Sequence, residues 1–297
     1  MTPIPRPRRY AQVDVFTARA GYGNALAVVF DADDLDDAAM QRFAAWTNLS
    51  ETTFVLAPRD ARADFRLRIF TPRSELPFAG HPTVGTTHAV LDARPEWSQR
   101  EQLVLECAAG LLTATIERAA TRRIFVQVPA ATFEPVTTAL ADELMMAIGA
   151  APQSAPSIAA VGARWLLAEL ADANAVRTLT PDLAAIAAAT TQTDTVGVAV
   201  FGREHGGDAA LAVRAFCPAD GIPEDPVTGS ANAAIGALLF ADGRLGTLGF
   251  RYRASQGREV GRDGYVDVLV DPGDGRVRIG GDCVTCIEGI VTPGARA

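Results

Sequence analysis

The chain has 297 residues, 48% of them hydrophobic and 21% charged, with a formal net charge of −8. That acidic balance lacks the electrostatic footprint of a general nucleic-acid binder, and no apolar run approaches the roughly 20 residues of a membrane-spanning helix. The length predicts two domains of about 150 residues each, and the mix is that of an ordinary globular protein.

Taken in order, the chain opens on its one basic cluster, Arg6-Pro7-Arg8-Arg9, which lacks the apolar core of a signal peptide and reads as a frayed end. Ala11 to Phe16 alternates as a strand, Gly21 to Asn24 is a turn, and Ala25 to Phe30 is an apolar strand. Gly21-x-Gly23 is a poor dinucleotide fingerprint, because a strand follows it where a helix must start. The acidic run Asp31 to Asp37 leads into a helix through about Thr47, Ser50 to Val55 reads as a strand, and Asp64 to Phe70 as a half-exposed strand. A helix over about Pro82–Leu91 carries almost no charge, which predicts a buried one. Strands follow at Leu103–Cys107, Leu111–Glu117 and Ile124–Val128, so a central helix wrapped by antiparallel strands is the simplest reading of the first half.

Pro129 to Pro135 reads as a linker. The second half opens with a helix at Thr138–Ile148, then strands at Ser157–Val161 and Trp165–Leu170. Alanine-rich helical sequence follows at Asp172–Arg177 and Pro181–Ala189, then strands at Val196–Phe201 and Ala209–Phe216. A second uncharged helix covers about Ser230–Ala241, and closing strands lie near Leu248–Ala254, Tyr265–Val270, Val277–Ile279 and Val284–Val291.

Two stretches share one design. Pro77-Phe78-Ala79-Gly80-His81-Pro82 and Pro226-Val227-Thr228-Gly229-Ser230-Ala231 each end a strand, turn on a glycine and open a small-residue helix. Each is preceded by a matching strand end, Arg68-Ile69-Phe70-Thr71-Pro72 and Arg214-Ala215-Phe216-Cys217-Pro218. This is an internal repeat, in which Gly80 meets Gly229 and His81 meets Ser230. Two helix N-termini with unpaired N–H groups make a natural anion site.

Several side chains near these turns could carry chemistry. Glu51 is either a solvated carboxylate at a strand start or a general acid/base whose proton affinity a closed cleft would raise. His81, at the glycine turn, either bonds to backbone or relays a proton and donates to a substrate carboxylate. Asp225, before Pro226, is a turn aspartate or a holder of a substrate amine or hydroxyl, and capping alone accounts for Ser230. His88 is more simply a packed core histidine and His205 a surface one. Other chemistries lack their signatures. No G-x-S-x-G elbow or phosphate-binding lysine loop is present. Cys283-x-x-Cys286 stands alone, without the second pair of ligands a zinc site needs. Four cysteines in a chain this long indicate no disulfide framework, and a reducing cytoplasm is the expected compartment.

Ser50-Glu51-Thr52, Pro77 to Pro82 and Glu224-Asp225-Pro226-Val227-Thr228-Gly229-Ser230-Ala231 together resemble the PhzF-like phenazine-biosynthesis isomerases. Gly23-Asn24, Gln256-Gly257 and Gly261-Arg262 are similar too, so the resemblance spans nearly the whole chain. It implies an α+β, diaminopimelate-epimerase-like fold of two pseudo-repeated lobes, each a curved antiparallel sheet or barrel around a central helix. The lobes are expected at residues 1–128 and 129–287, with the tail from about 288 to 297 able to return to the first. The resemblance also implies a cofactor-free, metal-free homodimer that shifts a proton on a small carboxylate, possible cyclic and amino-bearing substrates included, in a cleft between the lobes. Glu51 would be the acid/base, His81 and Asp225 would orient the substrate and assist, and Gly80, Gly229 and Ser230 would bind its carboxylate. No cysteine stands near Gly80 or Gly229, which argues against a two-thiol racemase. A two-base epimerase of an amino or hydroxy acid and a non-catalytic carboxylate-binding protein remain the alternatives.

Overall fold

The computed structural model describes residues 6–294. The chain divides into two compact units, Met1–Gln127 with Gly280–Ala297, and Val128–Ile279. The first contains β1 (Arg8–Val15), β2 (Asn24–Val29), α1 (Asp37–Thr47), β3 (Glu51–Leu56), β4 (Phe65–Phe70), β5 (Glu75–Leu76), α2 (Gly80–Ala93), β6 (Gln102–Cys107), β7 (Gly110–Arg118) and β8 (Arg122–Gln127). The second opens with β9 (Thr132–Pro135), α3 (Thr138–Ile148), β10 (Ser157–Val161), β11 (Ala163–Glu169), α4 (Ala173–Arg177) and α5 (Leu183–Thr193). It continues with β12 (Gly197–Arg203), β13 (Leu211–Cys217), β14 (Ile222–Asp225), α6 (Gly229–Ala241), β15 (Arg251–Gln256) and β16 (Gly264–Val270). The last strand, β17 (Val277–Val291), starts in the second unit and belongs to the first from Gly280 onward.

In the first unit the ladder runs β1–β2–β3–β4–β6–β7–β8–β17 and returns to β1, an eight-strand barrel among the described residues. Most neighbours are antiparallel, but β2 with β3 and β4 with β6 are parallel. Helix α2 packs on β1, β2, β3, β7 and β8 and is buried from Gly80 through Leu91, as its lack of charge predicts. Enclosing Val84, Val90 and Leu91 stabilises the unit by about 1.5–3 kcal/mol per side chain.

The second unit repeats this plan. Its ladder runs β9–β10–β11–β12–β13–β15–β16, again with two parallel neighbours, β11 with β12 and β13 with β15. Helix α6 packs on β10, β11 and β16 and is buried from Ala231 through Leu239. The strand registers make the repeat explicit. Thr52 lies opposite Phe70 as Val198 lies opposite Phe216, and Ile69 opposite Leu76 as Ala215 opposite Asp225. Leu26 lies opposite Glu51 as Trp165 lies opposite Gly197. On these pairings Glu51 corresponds to Gly197, and Leu76 to Asp225.

Three expectations need correction. The basic cluster is not a frayed end, because Arg8 begins β1, is buried, bonds the Asp31 carbonyl and pairs with Asp34 at 2.7 Å. The linker contains a strand, since β9 pairs with β10. The two short closing strands are one, because Gly280 and Gly281 continue the ladder and join Ile279 to the segment beyond.

Gly280 lets β17 and β8 approach: a Cβ there would fall well inside the van der Waals contact distance of the Ile124 carbonyl oxygen and 2.6 Å from the Phe125 ring. Backbone cannot yield as a side-chain tip can. Gly280→Ala is therefore expected to cost about 2–3 kcal/mol, lowering the melting temperature by roughly 5–10 °C. A calorimetric scan matching the parent chain would refute this tight contact.

Candidate active site

Four helices, α1, α3, α4 and α5, begin with a side chain that bonds back to a helical N–H: Asp36, Thr137, Asp172 and Asp182. Helices α2 and α6 have no such cap and no acidic residue in the first turn. Their N-terminal N–H groups and the positive end of each helix dipole are left for something other than a capping side chain.

In the first unit, β2 and β3 run parallel, so Asn24 and Glu51 start their strands at the same end, where α2 also starts. The buried His81 ring bridges them. Its Nδ1 is 2.9 Å from Glu51 Oε2 and its Nε2 is 3.0 Å from the Asn24 carbonyl oxygen. A carbonyl only accepts, so Nε2 carries a proton. The Nδ1···Oε2 line therefore holds one proton, either as imidazolium and carboxylate or as neutral imidazole and carboxylic acid. The Glu51 side chain keeps 18% exposure, which leaves it reachable. Phe16, in the left-handed region at φ 65°, sets its ring 6.3 Å from the imidazole.

In the second unit, Asp225 ends β14 and is buried. Thr228 holds the N-cap position of α6, but its hydroxyl donates to Asp225 Oδ2 and not to the helix. Gln256 fixes the turn: its Nε2 donates to the Asp225 carbonyl at 3.0 Å and to Thr228 Oγ1 at 2.8 Å, and its Oε1 accepts the Thr228 N–H at 3.0 Å. Ser230 is not the cap that its residue type predicts. It is the second helical residue, and its Oγ accepts the Trp165 indole N–H at 3.1 Å. An indole only donates, so the Ser230 O–H keeps its own proton to give elsewhere.

Thus the structure joins Glu51 to His81 in one unit, and groups Asp225, Gly229 and Ser230 at one turn in the other, with Gly80 opening α2. Sequence reasoning missed the hydrogen bonds of Thr228 and Trp165: Thr228 is three residues from Asp225, near enough to suggest its bond, while Trp165, far from Ser230 along the chain, had no signal.

The sequence profile of the phenazine biosynthesis-like protein family, PhzC-PhzF, matches residues 13–289. The chain belongs to the PhzC-PhzF family. It is 35% identical over 296 residues to a trans-2,3-dihydro-3-hydroxyanthranilate isomerase of Pseudomonas chlororaphis, covering 95% of this chain and 98% of that one. It is 36% identical over 290 residues to antisense-enhancing sequence 1 of Schizosaccharomyces pombe, covering 94% and 97%. A PhzF-family crystal structure from Bacillus anthracis superposes with a TM-score of 0.83 at 24% identity, covering 96% and 99%, which shows the shared fold. This PhzF-family chain is an isomerase, and its α+β fold is the one the motifs imply. Among the described residues, no helix is long and apolar enough to cross a membrane, and no three His, Cys, Asp or Glu side chains gather as metal ligands.

Cys283, Cys286, His88 and Asp92 of this PhzF-family chain have structural surroundings. Burial pushes the Cys283 thiol up to about 12, and burial together with the Asp14 carboxylate raises that of Cys286, so neither favours a thiolate. His88, further along α2, accepts from Arg122 through Nδ1 at 2.8 Å, so its proton sits on Nε2, 3.1 Å from Asp92 Oδ2. Burial pushes the Asp92 carboxyl up, but the hydrogen bonds from His88 and the Arg122 guanidinium outweigh it and hold the group well below the usual carboxylate range. A depressed folded value contributes stability above the unfolded value near 4 and loses it as pH falls through the folded one. Asp92→Asn should accordingly cost about 1–2 kcal/mol at pH 7, with the deficit shrinking below about pH 4. Melting curves across that range check it; a deficit constant with pH would contradict the ion pair.

Proposed function

We propose that this isomerase moves a proton within a small, amino-bearing cyclic carboxylate without a cofactor, Glu51 serving as the acid/base. The observation that carries the reading is the 2.9 Å hydrogen bond between Glu51 and His81, on a carboxylate that is still reachable. With the resting proton on His81 Nδ1, Glu51 is a carboxylate that can take a proton from one carbon on its free oxygen, hold it as the carboxylic acid and return it to another carbon. The uncapped start of α2 at Gly80 lends N–H donors to the substrate carboxylate, and the start of α6 at Gly229 and Ser230 offers N–H and O–H donors to an anion in its own unit, each a positive dipole end where negative charge accumulates. Asp225 holds the substrate amine or hydroxyl. The named substrate of the Pseudomonas relative, trans-2,3-dihydro-3-hydroxyanthranilate, has these features and is the first compound to test.

The repeat weighs against a two-base epimerase. Where the first unit has Glu51 the second has Gly197, and a Cβ there would lie 2.5 Å from the Phe216 carbonyl oxygen and 2.8 Å from the Trp165 ring. No second base fits at the corresponding position.

Turnover of trans-2,3-dihydro-3-hydroxyanthranilate, followed by proton NMR in D2O, tests the reading. Glu51→Gln should lower kcat by about 10²–10⁴-fold. Undiminished turnover by that variant removes the mechanism. Deuterium arriving with inversion at a stereocentre points instead to the two-base epimerase.

A further inference from the structure

Asp14 is a buried acid that the reaction above does not use. It lies in β1 at 3% exposure, and its Oδ2 accepts the backbone N–H of Gly21 at 2.6 Å and of Gly23 at 3.1 Å. Its Oδ1 is buried and has no hydrogen-bond partner among the described residues. A carboxylate buried with one oxygen unpartnered carries a desolvation cost that selection has tolerated for some return. The two N–H groups belong to the loop between β1 and β2. The next residue after Gly23 is Asn24, whose carbonyl accepts the proton of His81 Nε2. A single peptide therefore separates the atom that Asp14 grips from the atom that fixes the imidazole.

Anchoring a turn is an ordinary duty for an aspartate, and the repeat supplies an internal control for that simpler reading. In the first unit Asp14 pairs with Ala25 and Val15 with Asn24; in the second, Ala160 pairs with Arg164 and Val161 with Ala163. Ala160 takes the place of Asp14, and the connection shrinks to Gly162 at φ +94°. The same hairpin position thus folds without an acid and without the longer loop. Both occur in the unit that holds Glu51 and His81, and neither in the unit whose corresponding residues are Gly197 and Ser230.

We propose that Asp14 is a positioning residue. By pinning the Gly21–Gly23 loop it fixes the Asn24 carbonyl, which commits the His81 proton to Nε2 and leaves Nδ1 for Glu51. The consequence for turnover rests on the reading of Glu51 as the acid/base; the consequence for the imidazole does not.

The test uses the full chain with ¹⁵N-labelled histidine, which gives only three imidazoles, His81, His88 and His205. In the parent chain the His81 Nε2–H is expected to give an observable, slowly exchanging signal. Asp14→Ala should abolish that signal or make it exchange with water, leaving His88 unaltered. Asp14→Asn, whose amide oxygen can accept from both loop N–H groups, should restore it. With trans-2,3-dihydro-3-hydroxyanthranilate as substrate, Asp14→Ala should lower kcat about 10–100-fold, the scale of a displaced catalytic group, while KM changes less. Should the alanine variant fail to fold, Asp14→Ser, too short to reach both N–H groups, carries the same expectation. A folded alanine or serine variant with parental His81 signals overturns the positioning role. Undiminished turnover by Glu51→Gln overturns the acid/base reading alone, because the imidazole signals are read without substrate.

Discussion

A helix enclosed on every side can meet a ligand only at its ends. That constraint governs both units of this protein. Helix α2 is buried from its first residue to Leu91, so strands occupy its flanks and its N-terminus is what it can present. Peripheral helices such as α1 and α5 meet solvent along one side and spend an aspartate on their own first turn. The two central helices keep theirs uncapped, and both start on a glycine after an extended residue, Ala79 or Thr228. An aspartate at either place would satisfy the N–H groups internally and neutralise the dipole that an anion needs.

On this common frame the two units have parted company in chemistry. Register pairs Glu51 with Gly197, Leu76 with Asp225 and, by the helix starts, His81 with Ser230. Each exchange has a local cause. Trp165 fills the space beside Gly197 and turns its N–H to Ser230, so an acid there has neither room nor need. Asp225 has Thr228 and Gln256 beneath it, a polar floor built from the turn and from β15. One shared plan thus carries a carboxylate–imidazole pair in one half and a set of fixed hydrogen-bond groups in the other. The topology is conserved because the barrel needs it, and the side chains at its rim are free to diverge because the barrel does not.

What the sequence makes legible follows the range of the interactions involved. The uncharged helices and the matched strand ends beginning at Arg68 and Arg214 are local patterns, and their pairing carries most of the fold. The helix around Thr138–Ile148 is legible from its local pattern, and the structure bounds it with the Thr137 cap and with Gly149 at φ 76°. What escapes reading depends on partners far along the chain. Arg8 is ordered by Asp34 and by the Asp31 carbonyl, which no local composition announces. Pro129 to Pro135 looks like a linker, yet β9 gains a partner in β10 across an intervening helix. Ser230 has the side chain of a cap, but the cap position is decided by backbone dihedrals two residues earlier, at Thr228. Glu51 and His81 are each conspicuous in the sequence; that they share a proton is not, because it depends on a carbonyl, Asn24, that has no side-chain signature.

In the proposed reaction that carbonyl suits the pair to returning a proton and not merely to taking one. With Nε2 committed to Asn24, the imidazole can gain or lose a proton only at Nδ1, and Nδ1 addresses Glu51 Oε2. In the proposed reaction every change in the proton count of the pair then passes through Glu51, whose Oε1 is the oxygen not engaged by the ring. A lone carboxylate in a poorly solvated site would change its net charge with each transfer and bear the full cost in the charged state. The imidazole spreads that change, since the proton can lie on either side of a 2.9 Å hydrogen bond while Glu51 meets the substrate. A histidine free to rotate would offer its second nitrogen to water and let the proton escape; one tethered at Nε2 keeps it within the pair, where the same atom that left one carbon is at hand for the next.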